Sequence, residues 1–342
     1  MKAIYFLILS TFLCSAQDLT PLPHGSDLYS AQELTPLPHG SDLFSGETSN
    51  NYIFGWHFQH ICDHMFDPER NNVFDPLQVQ AGDLIFVRNI DLFMKTLHDR
   101  ISNPYIIVTH GDFQYVTTDE NLQYLDNEKI IAWFSVHPPR SSHPKYFPVP
   151  LGINPTSKLF KFRKRYNNLF KKLRDKPKTK LLSGIFSLRH NPEREELGKL
   201  FSEKPFCSLI TKNLHFREYM DELASSIFTF SPRGWGPDCY RTWEALLVGT
   251  IPIVKKEQYG IMECAKQFLR MPNNGFPSQL DRLYEDLPIL VIEEWNEITP
   301  EFLEKKYKEI SAKKYDIKLL YMEYWYEKIR EVQRNYLANH KK

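Results

Sequence analysis

The chain has 342 residues, with 43 basic and 42 acidic side chains and a formal net charge of +1. That length exceeds one ordinary domain and accommodates two plus a tail. The even charge balance leaves no electrostatic footprint for nucleic acid, which disfavours a general polyanion-binding role.

The first residues, MKAIYFLILSTFLCSA, set a lone lysine before an apolar run and end in Ser15 and Ala16. The pattern predicts a signal peptide over 1–16, and so a protein of the secretory lumen or an exported one. The apolar run is short for a membrane span; left uncleaved it would be an N-terminal anchor, the single route to membrane association. Residues 15–29, SAQDLTPLPHGSDLY, then repeat as 30–44, SAQELTPLPHGSDLF, changing only Asp18 to Glu33 and Tyr29 to Phe44. One duplicated unit rich in Pro, Gly, Ser and Asp cannot stack into a solenoid, so 17–50 is expected to form a flexible stem.

From residue 51 the texture is globular. Short β-rich runs, LIFVRN from Leu84, YIIVTHGD from Tyr105, KIIAWFSVH from Lys129 and YFPVPLG from Tyr146, alternate with amphipathic stretches. That alternation predicts a parallel sheet with crossover helices over 51–175. Near its start, WHFQHICDH crowds His57, His60, Cys62 and His64 together, but their spacing matches no familiar zinc pattern. With Cys14 assigned to the signal, Cys62, Cys207, Cys239 and Cys264 remain, enough for one disulfide or for buried free thiols. The basic stretch 156–178 reads as a solvated helix and linker, with a phosphate-binding patch as the alternative.

A second series over 176–314 has strands in KLLSGIFSL, PFCSLI, SIFTFS, TIPIV and LPILVIE. Two consecutive units of this kind predict an α/β fold of two Rossmann-like domains facing a cleft. The tail, 315–342, carries a long aromatic-rich amphipathic helix whose apolar face must be buried against the body.

The densest chemistry lies in FTFSPRGWGPDCYRTWEALLVGTIPIV, residues 228–254. A buried strand ends in a turn stiffened by Pro232 and Pro237, where Gly234 and Gly236 permit close backbone approach. Asp238 suits the N-cap of the following helix, whose amino end would receive a diphosphate. Arg241 and Glu244 fall near Asp238 on roughly one helical face. The bland reading of that pair is an exposed ion pair worth a few tenths of a kcal/mol. The functional one puts Arg233 or Arg241 on phosphate oxygens and Glu244 on ribose hydroxyls. Trp243, Leu246 and Leu247 read as core.

This segment resembles the donor-site segment of exostosin-like glycosyltransferases, bacterial and algal members among them, whose fold is GT-B-like. AGDLIFVRN, NPYIIVTHGD, KIIAWFS, HPKYFPVPLGIN and YEDLPILVIEEWNEIT resemble further blocks in the same order, from about Ala81 to Tyr307. The resemblance implies an inverting, metal-independent transfer of a sugar from a nucleotide sugar, usually a UDP-sugar, to a glycan or glycosylated acceptor, with no cofactor. It carries Arg233, Gly234, Asp238, Arg241 and Glu244 into the donor site. The chain contains no Asp-x-Asp, the metal-bridging motif of the other large glycosyltransferase fold, so cationic side chains and helix dipoles must offset the leaving diphosphate. Arg189, in the loop after KLLSGIFSL, is the further candidate for that work, ahead of His190, Asn191 and Arg194.

An inverting transfer also needs a base for the acceptor hydroxyl. Asp112 and His110, at the carboxyl end of YIIVTHGD, are the candidates, against the reading that Asp112 caps a turn and His110 packs. His137 and His143 are weaker ones, and Lys145 is placed to meet an acidic acceptor. A fucosyl-type transferase with a guanosine diphosphate donor and a non-catalytic carbohydrate- or nucleotide-binding protein of the same fold remain alternatives. A dehydrogenase is disfavoured by the missing third glycine of the dinucleotide fingerprint.

Overall fold

The computed structural model describes residues 38–49, 51–111, 117–139, 141–154, 163–189, 191–234, 236–256 and 279–340. The expected export signal, the first copy of the repeat, Asp112, His190 and Cys264 lie outside the described residues. The elements in order are β1 Phe44–Ser45, α1 Gly55–His60, β2 His64–Phe66, β3 Leu84–Val87, α2 Ile90–Thr96, β4 Tyr105–Thr109, β5 Ile130–Ser135 and β6 Tyr146–Pro148. There follow α3 Arg163–Arg174, β7 Lys180–Ile185, α4 Pro192–Phe201, β8 Cys207–Ile210, α5 Phe216–Ala224, β9 Ser226–Phe230, α6 Tyr240–Leu247 and β10 Ile251–Lys255. The chain closes with α7 Gln279–Tyr284, β11 Leu290–Ile292, α8 Pro300–Ser311, β12 Tyr315–Asp316 and α9 Met322–Asn339.

Among the described residues the strands form two five-stranded sheets, ordered β2-β3-β4-β5-β6 and β11-β10-β9-β7-β8, and a small β1-β12 pair, with every pairing parallel. The α/β, GT-B-like class expected from the sequence therefore holds: two parallel-sheet units and a long C-terminal helix. Strands such as LIFV and YIIVT are buried along their whole length, as parallel strands covered on both faces must be.

The two sheets are wound differently. The first runs strictly in chain order, so right-handed crossovers all fall on one face. Ile85, Val87, Tyr105, Ile107 and Trp133 pack on that side with Ile90 and Phe93 of α2. Alternate residues Leu84, Phe86, Ile106, Val108 and Phe134 point the other way, into the core shared with the second unit and with Trp325 and Ile329 of α9. The C-terminal helix thus covers a face that local crossovers leave bare, and Gln333 donates to the Gly82 carbonyl at 2.8 Å. In the second sheet the order reverses between β7 and β9, which makes the crevice outside their carboxyl ends the place where such sheets take ligands.

Two expectations are corrected here. Residues 38–49, read as part of a flexible stem, are docked. Gly40–Leu43 is a short 3-10 helix, Leu43 is buried, and β1 pairs with β12. The composition misled because the seat wants glycine: a Cβ on Gly40 would lie 2.6 Å from the Val248 carbonyl oxygen. The basic stretch is not wholly solvated either. Buried Lys178 donates from Nζ to the carbonyls of Ala224 (2.9 Å) and Val248 (3.0 Å) and to Thr250 Oγ1 (3.0 Å), while buried Arg174 donates twice to the Leu247 carbonyl. The two cations thereby occupy orphan carbonyls at the ends of α5 and α6, where the helix dipoles favour positive charge.

Replacing Lys178 by Met should leave those acceptors buried and unpaired, lowering stability by about 2–3 kcal/mol in urea unfolding. Lys180→Met, which removes only the part-exposed pair with Glu222, should cost about 1 kcal/mol or less. Equal losses would show that Lys178 does not act as a cap.

Candidate functional site

The site grows from β9, the turn after it, and α6. The structure places Cys239, not Asp238, at the N-cap of α6, with extended backbone and no side-chain cap. Asp238 is instead turned inward. Its Oδ2 accepts from the Leu151 amide and from Trp243 Nε1, both at 2.8 Å, and its Oδ1 from the Tyr284 hydroxyl at 3.0 Å. Burial pushes this carboxyl up to about 6, with the hydrogen bonds pulling the other way. One turn along α6, Glu244 accepts from the Asn154 amide at 3.2 Å and from the Tyr219 hydroxyl at 2.6 Å. Burial raises its pKa, opposed by Tyr219, Asn154 and Arg241. Leu151 and Asn154 belong to the chain leaving β6, so both carboxylates hold the first unit to the second. Trp243, expected as core, is buried.

Above this clasp lies a cavity of about 360 Å³. Arg194 and Arg241 line it with charge, Leu214, Phe216 and Tyr240 with apolar surface, and Glu244, Tyr219 and Asn154 with hydrogen-bonding groups; Cys239 completes the lining. Arg241 is held by Nε donating to the Ile185 carbonyl at 2.9 Å, with its guanidinium 5.4 Å from the Phe186 ring centre. Its Nη1 is buried and has no hydrogen-bond partner among the described residues. Arg194, in the first turn of α4, donates from Nε to the Arg233 carbonyl at 2.8 Å. Burial, and then the charge of nearby Arg241, lowers its pKa. Two like charges share the site, and one donor remains unmet.

The other sequence-selected residues scatter around this centre. Arg233 stands against Glu193, amide to carboxylate at 2.9 Å and Nε to carboxylate at 3.7 Å, while Glu193 also accepts from Trp295 Nε1 at 3.2 Å. Gly234 lets Arg194 approach, since a Cβ there would meet its Nη2 at 3.2 Å. Arg189 is exposed and does not line the cavity; Arg194 stands there instead. The signal for Arg194 was in the sequence: Asn191 with Pro192 after it marks a helix start, which phases Arg194 into the first turn facing the glycine loop. Leu214, Phe216, Tyr219 and Asn154 carried no such mark, because only tertiary packing brings them to the cavity.

His110 packs. Its ring stacks on Phe58 with centres 4.8 Å apart, Nε2 donates to the Pro150 carbonyl at 3.0 Å, and burial pushes its pKa down to about 4. His137 holds left-handed backbone at φ 54° and is buried beneath the glycine turn, where a Cβ on Gly236 would sit 2.5 Å from its Cε1. Burial, and then neighbouring His110, push its pKa down to about 3. Lys145 is engaged by the carbonyls of Leu125 and Asn127, and His143 lies 3.6 Å from Asp126. The histidines of WHFQHICDH each turn to separate partners: His57 to the Tyr52 carbonyl, His60 to that of Trp56, His64 to Asp83. Among the described residues no group of three or more His, Cys, Asp or Glu is placed to hold a metal, and Cys62, Cys207 and Cys239 are free thiols.

Comparison with known proteins gives one sequence match. Residues 190–340 match the family model described as the RXYLT1 C-terminal domain, a span of less than half the chain that includes Arg194, Arg233, Asp238, Arg241 and Glu244. Among curated proteins none matches the chain. Among solved structures, an α,α-trehalose-phosphate synthase (UDP-forming) from Burkholderia vietnamiensis aligns at 10% identity with a TM-score of 0.30, over 75% of this chain and 70% of that one. The N-terminal domain of a Candida albicans trehalose-6-phosphate phosphatase aligns at 9% identity with a TM-score of 0.32, over 75% and 71%. Likenesses so distant carry no residue role or substrate to this chain.

The buried ionisable groups set opposing pH slopes. His110 and His137 refuse protons that the unfolded chain accepts below about 6.5, so their contribution is whole above that pH and is lost on acidification. Asp238, raised from 3.8 to about 6, works in the other direction, since its ionisation is costlier in the fold than in the unfolded chain. Relative to the parent, His137→Asn, which tolerates left-handed backbone, should lose less stability between pH 6.5 and pH 4. Asp238→Asn should lose more over the same window. Urea unfolding across it reads both slopes, and parallel curves would dissolve the assignment.

Proposed function

We propose that this chain is a nucleotide-sugar-dependent glycosyltransferase, inverting and metal-independent, that passes a sugar to a glycan or glycosylated acceptor in a secretory or exported compartment. The observation that carries the reading is the pairing of Arg194 and Arg241 at a cavity of about 360 Å³, with Arg241 Nη1 buried and without a hydrogen-bond partner among the described residues, outside the strand ends where the second sheet reverses. A diphosphate meets that need: it supplies acceptors for the free donor and separates two cations that otherwise repel. The amino end of α6 adds its own partial positive charge beside them. The likeness of residues 190–340 to the RXYLT1 C-terminal domain family supports a glycosyltransferase independently of this geometry.

In this reading the residues divide the work. Arg194 and Arg241 hold the diphosphate and stabilise it as it leaves. Glu244 uses its remaining lone pairs for ribose hydroxyls, and Phe216, Tyr240 and Leu214 offer surface to the base. The acceptor oxygen attacks the anomeric carbon as the bond to the diphosphate breaks, and a base on the first unit takes its proton. His110 is a poor base: with Nε2 donating to a carbonyl, its basic nitrogen is Nδ1, which is buried beside Gly55. We therefore assign the base to Asp112, two positions after His110 in the sequence.

Thermal shift with UDP, GDP and inorganic phosphate tests the donor site, since saturating ligand at a hundredfold its Kd adds about 2.7 kcal/mol. A shift with UDP larger than with GDP is expected, and none with either would end the proposal. Arg241→Gln should weaken nucleotide diphosphate binding about 10- to 100-fold, the loss of one charge-assisted hydrogen bond. Asp112→Asn should abolish transfer while leaving that binding intact.

A further inference from the structure

The docked segment at the start of the described chain has a twin. Every residue from Pro38 to Ser45 except Phe44 is repeated fifteen positions earlier, in Pro23, His24, Gly25, Ser26, Asp27, Leu28 and Ser30, with Tyr29 in place of Phe44. These are the residues that the seat reads. The Pro38 carbonyl accepts from the Lys178 amide at 2.9 Å, and His39 Nδ1 lies 2.6 Å from the Asp175 carbonyl. Gly40 presses backbone to backbone on Gly249, where no side chain fits on either partner. Asp42 receives the His39 amide at 2.9 Å and closes the 3-10 turn, and its carbonyl is met by Lys314. Leu43 enters the core, and Phe44 and Ser45 pair in register with Tyr315 and Asp316.

We propose that the first copy, residues 23–30, is a second ligand for this same seat, and that the two copies exchange within one chain by a slip of fifteen residues. Apart from the buried Phe44, the seat makes its backbone and side-chain demands at positions where the copies are identical, so neither pairing register nor capping distinguishes them. Two differences bias the exchange toward the second copy. Gly46, which follows the docked strand, has φ 95°, whereas its counterpart in the first copy is Ala31, for which that backbone is strained. Tyr29 must also place a hydroxyl where Phe44 is buried. Exchange draws in the N-terminal lead and pays out residues 31–45 as slack before the body. The duplication therefore sets two lengths for the connection between the N-terminal segment and the folded units.

Cross-linking in the full chain tests this. Ser45→Cys with Asp316→Cys joins a register pair and serves as the positive control. Ser30→Cys with Asp316→Cys should cross-link weakly in the parent background. The yield should rise when Gly40→Leu evicts the second copy, and rise again when Ala31→Gly removes the strain, with peptide mapping to identify the linked cysteines. Thermal unfolding supplies the second measurement. Gly40→Leu should lower Tm modestly because the first copy replaces the second, and Gly25→Leu with Gly40→Leu should lower it by several degrees more. No link between positions 30 and 316 in the Gly40→Leu chain, a link only between separate chains, or equal Tm losses in the single and double variants would each overturn the proposal.

Discussion

A buried carboxylate joins the two sheets, and the site exists because of it. Asp238 gathers an indole, a phenol and the Leu151 amide of the opposite unit around one acid, so the turn before α6 cannot move without dragging the exit of β6 with it. Glu244 repeats the arrangement one turn further along. Between them they fix the amino end of α6 against the first unit, and the cavity occupies the space that this fixes. Ionising a buried acid is costly, and the three hydrogen bonds on Asp238 are what make the charged form tolerable.

The cavity itself runs against folding stability. Arg194 and Arg241 are drawn together by backbone carbonyls, those of Arg233 and Ile185, rather than by carboxylates. Carbonyls orient a guanidinium without neutralising it. Of the acids nearby, Glu193 is committed to Arg233 and Trp295, and Glu244 is buried and held by Tyr219 and the Asn154 amide. A fold optimised for stability alone would pair one of these arginines. Two guanidiniums held by carbonyls beside a cavity, with Glu244 the one carboxylate among the described residues of its lining, are the arrangement expected of a site that awaits an anion.

Much of the architecture was legible in the sequence because its signals are local. Uninterrupted runs such as LIFV and IIAWFS announce strands buried on both faces, and the glycine turn between β9 and α6 announces a ligand-binding connection. What was hidden depends on distant partners. Asp238 looked like an N-cap since it precedes a helix, yet a carboxylate that can reach an indole, a phenol and an amide is held inside. Arg189 looked better than Arg194 while the loop after β7 was judged by composition; the helix phase of α4 decides otherwise. The docked segment escaped notice for a similar reason. Glycine and proline usually signal disorder, whereas Gly40 is required by contact with Gly249 at the backbone.

The winding of the first sheet has a consequence for how the protein is made. Its strands emerge from the ribosome early and in order, and the crossovers between them cover only one side. The other side is closed by Trp325, Ile329 and the rest of α9, which are synthesised after the whole second unit, while β1 pairs with the distant β12. A nascent first unit therefore carries an open apolar face until α9 has been made. Its folding cannot run ahead unit by unit as it does in many two-domain chains. Completion waits on contacts between segments far apart in the chain, which are slow to close.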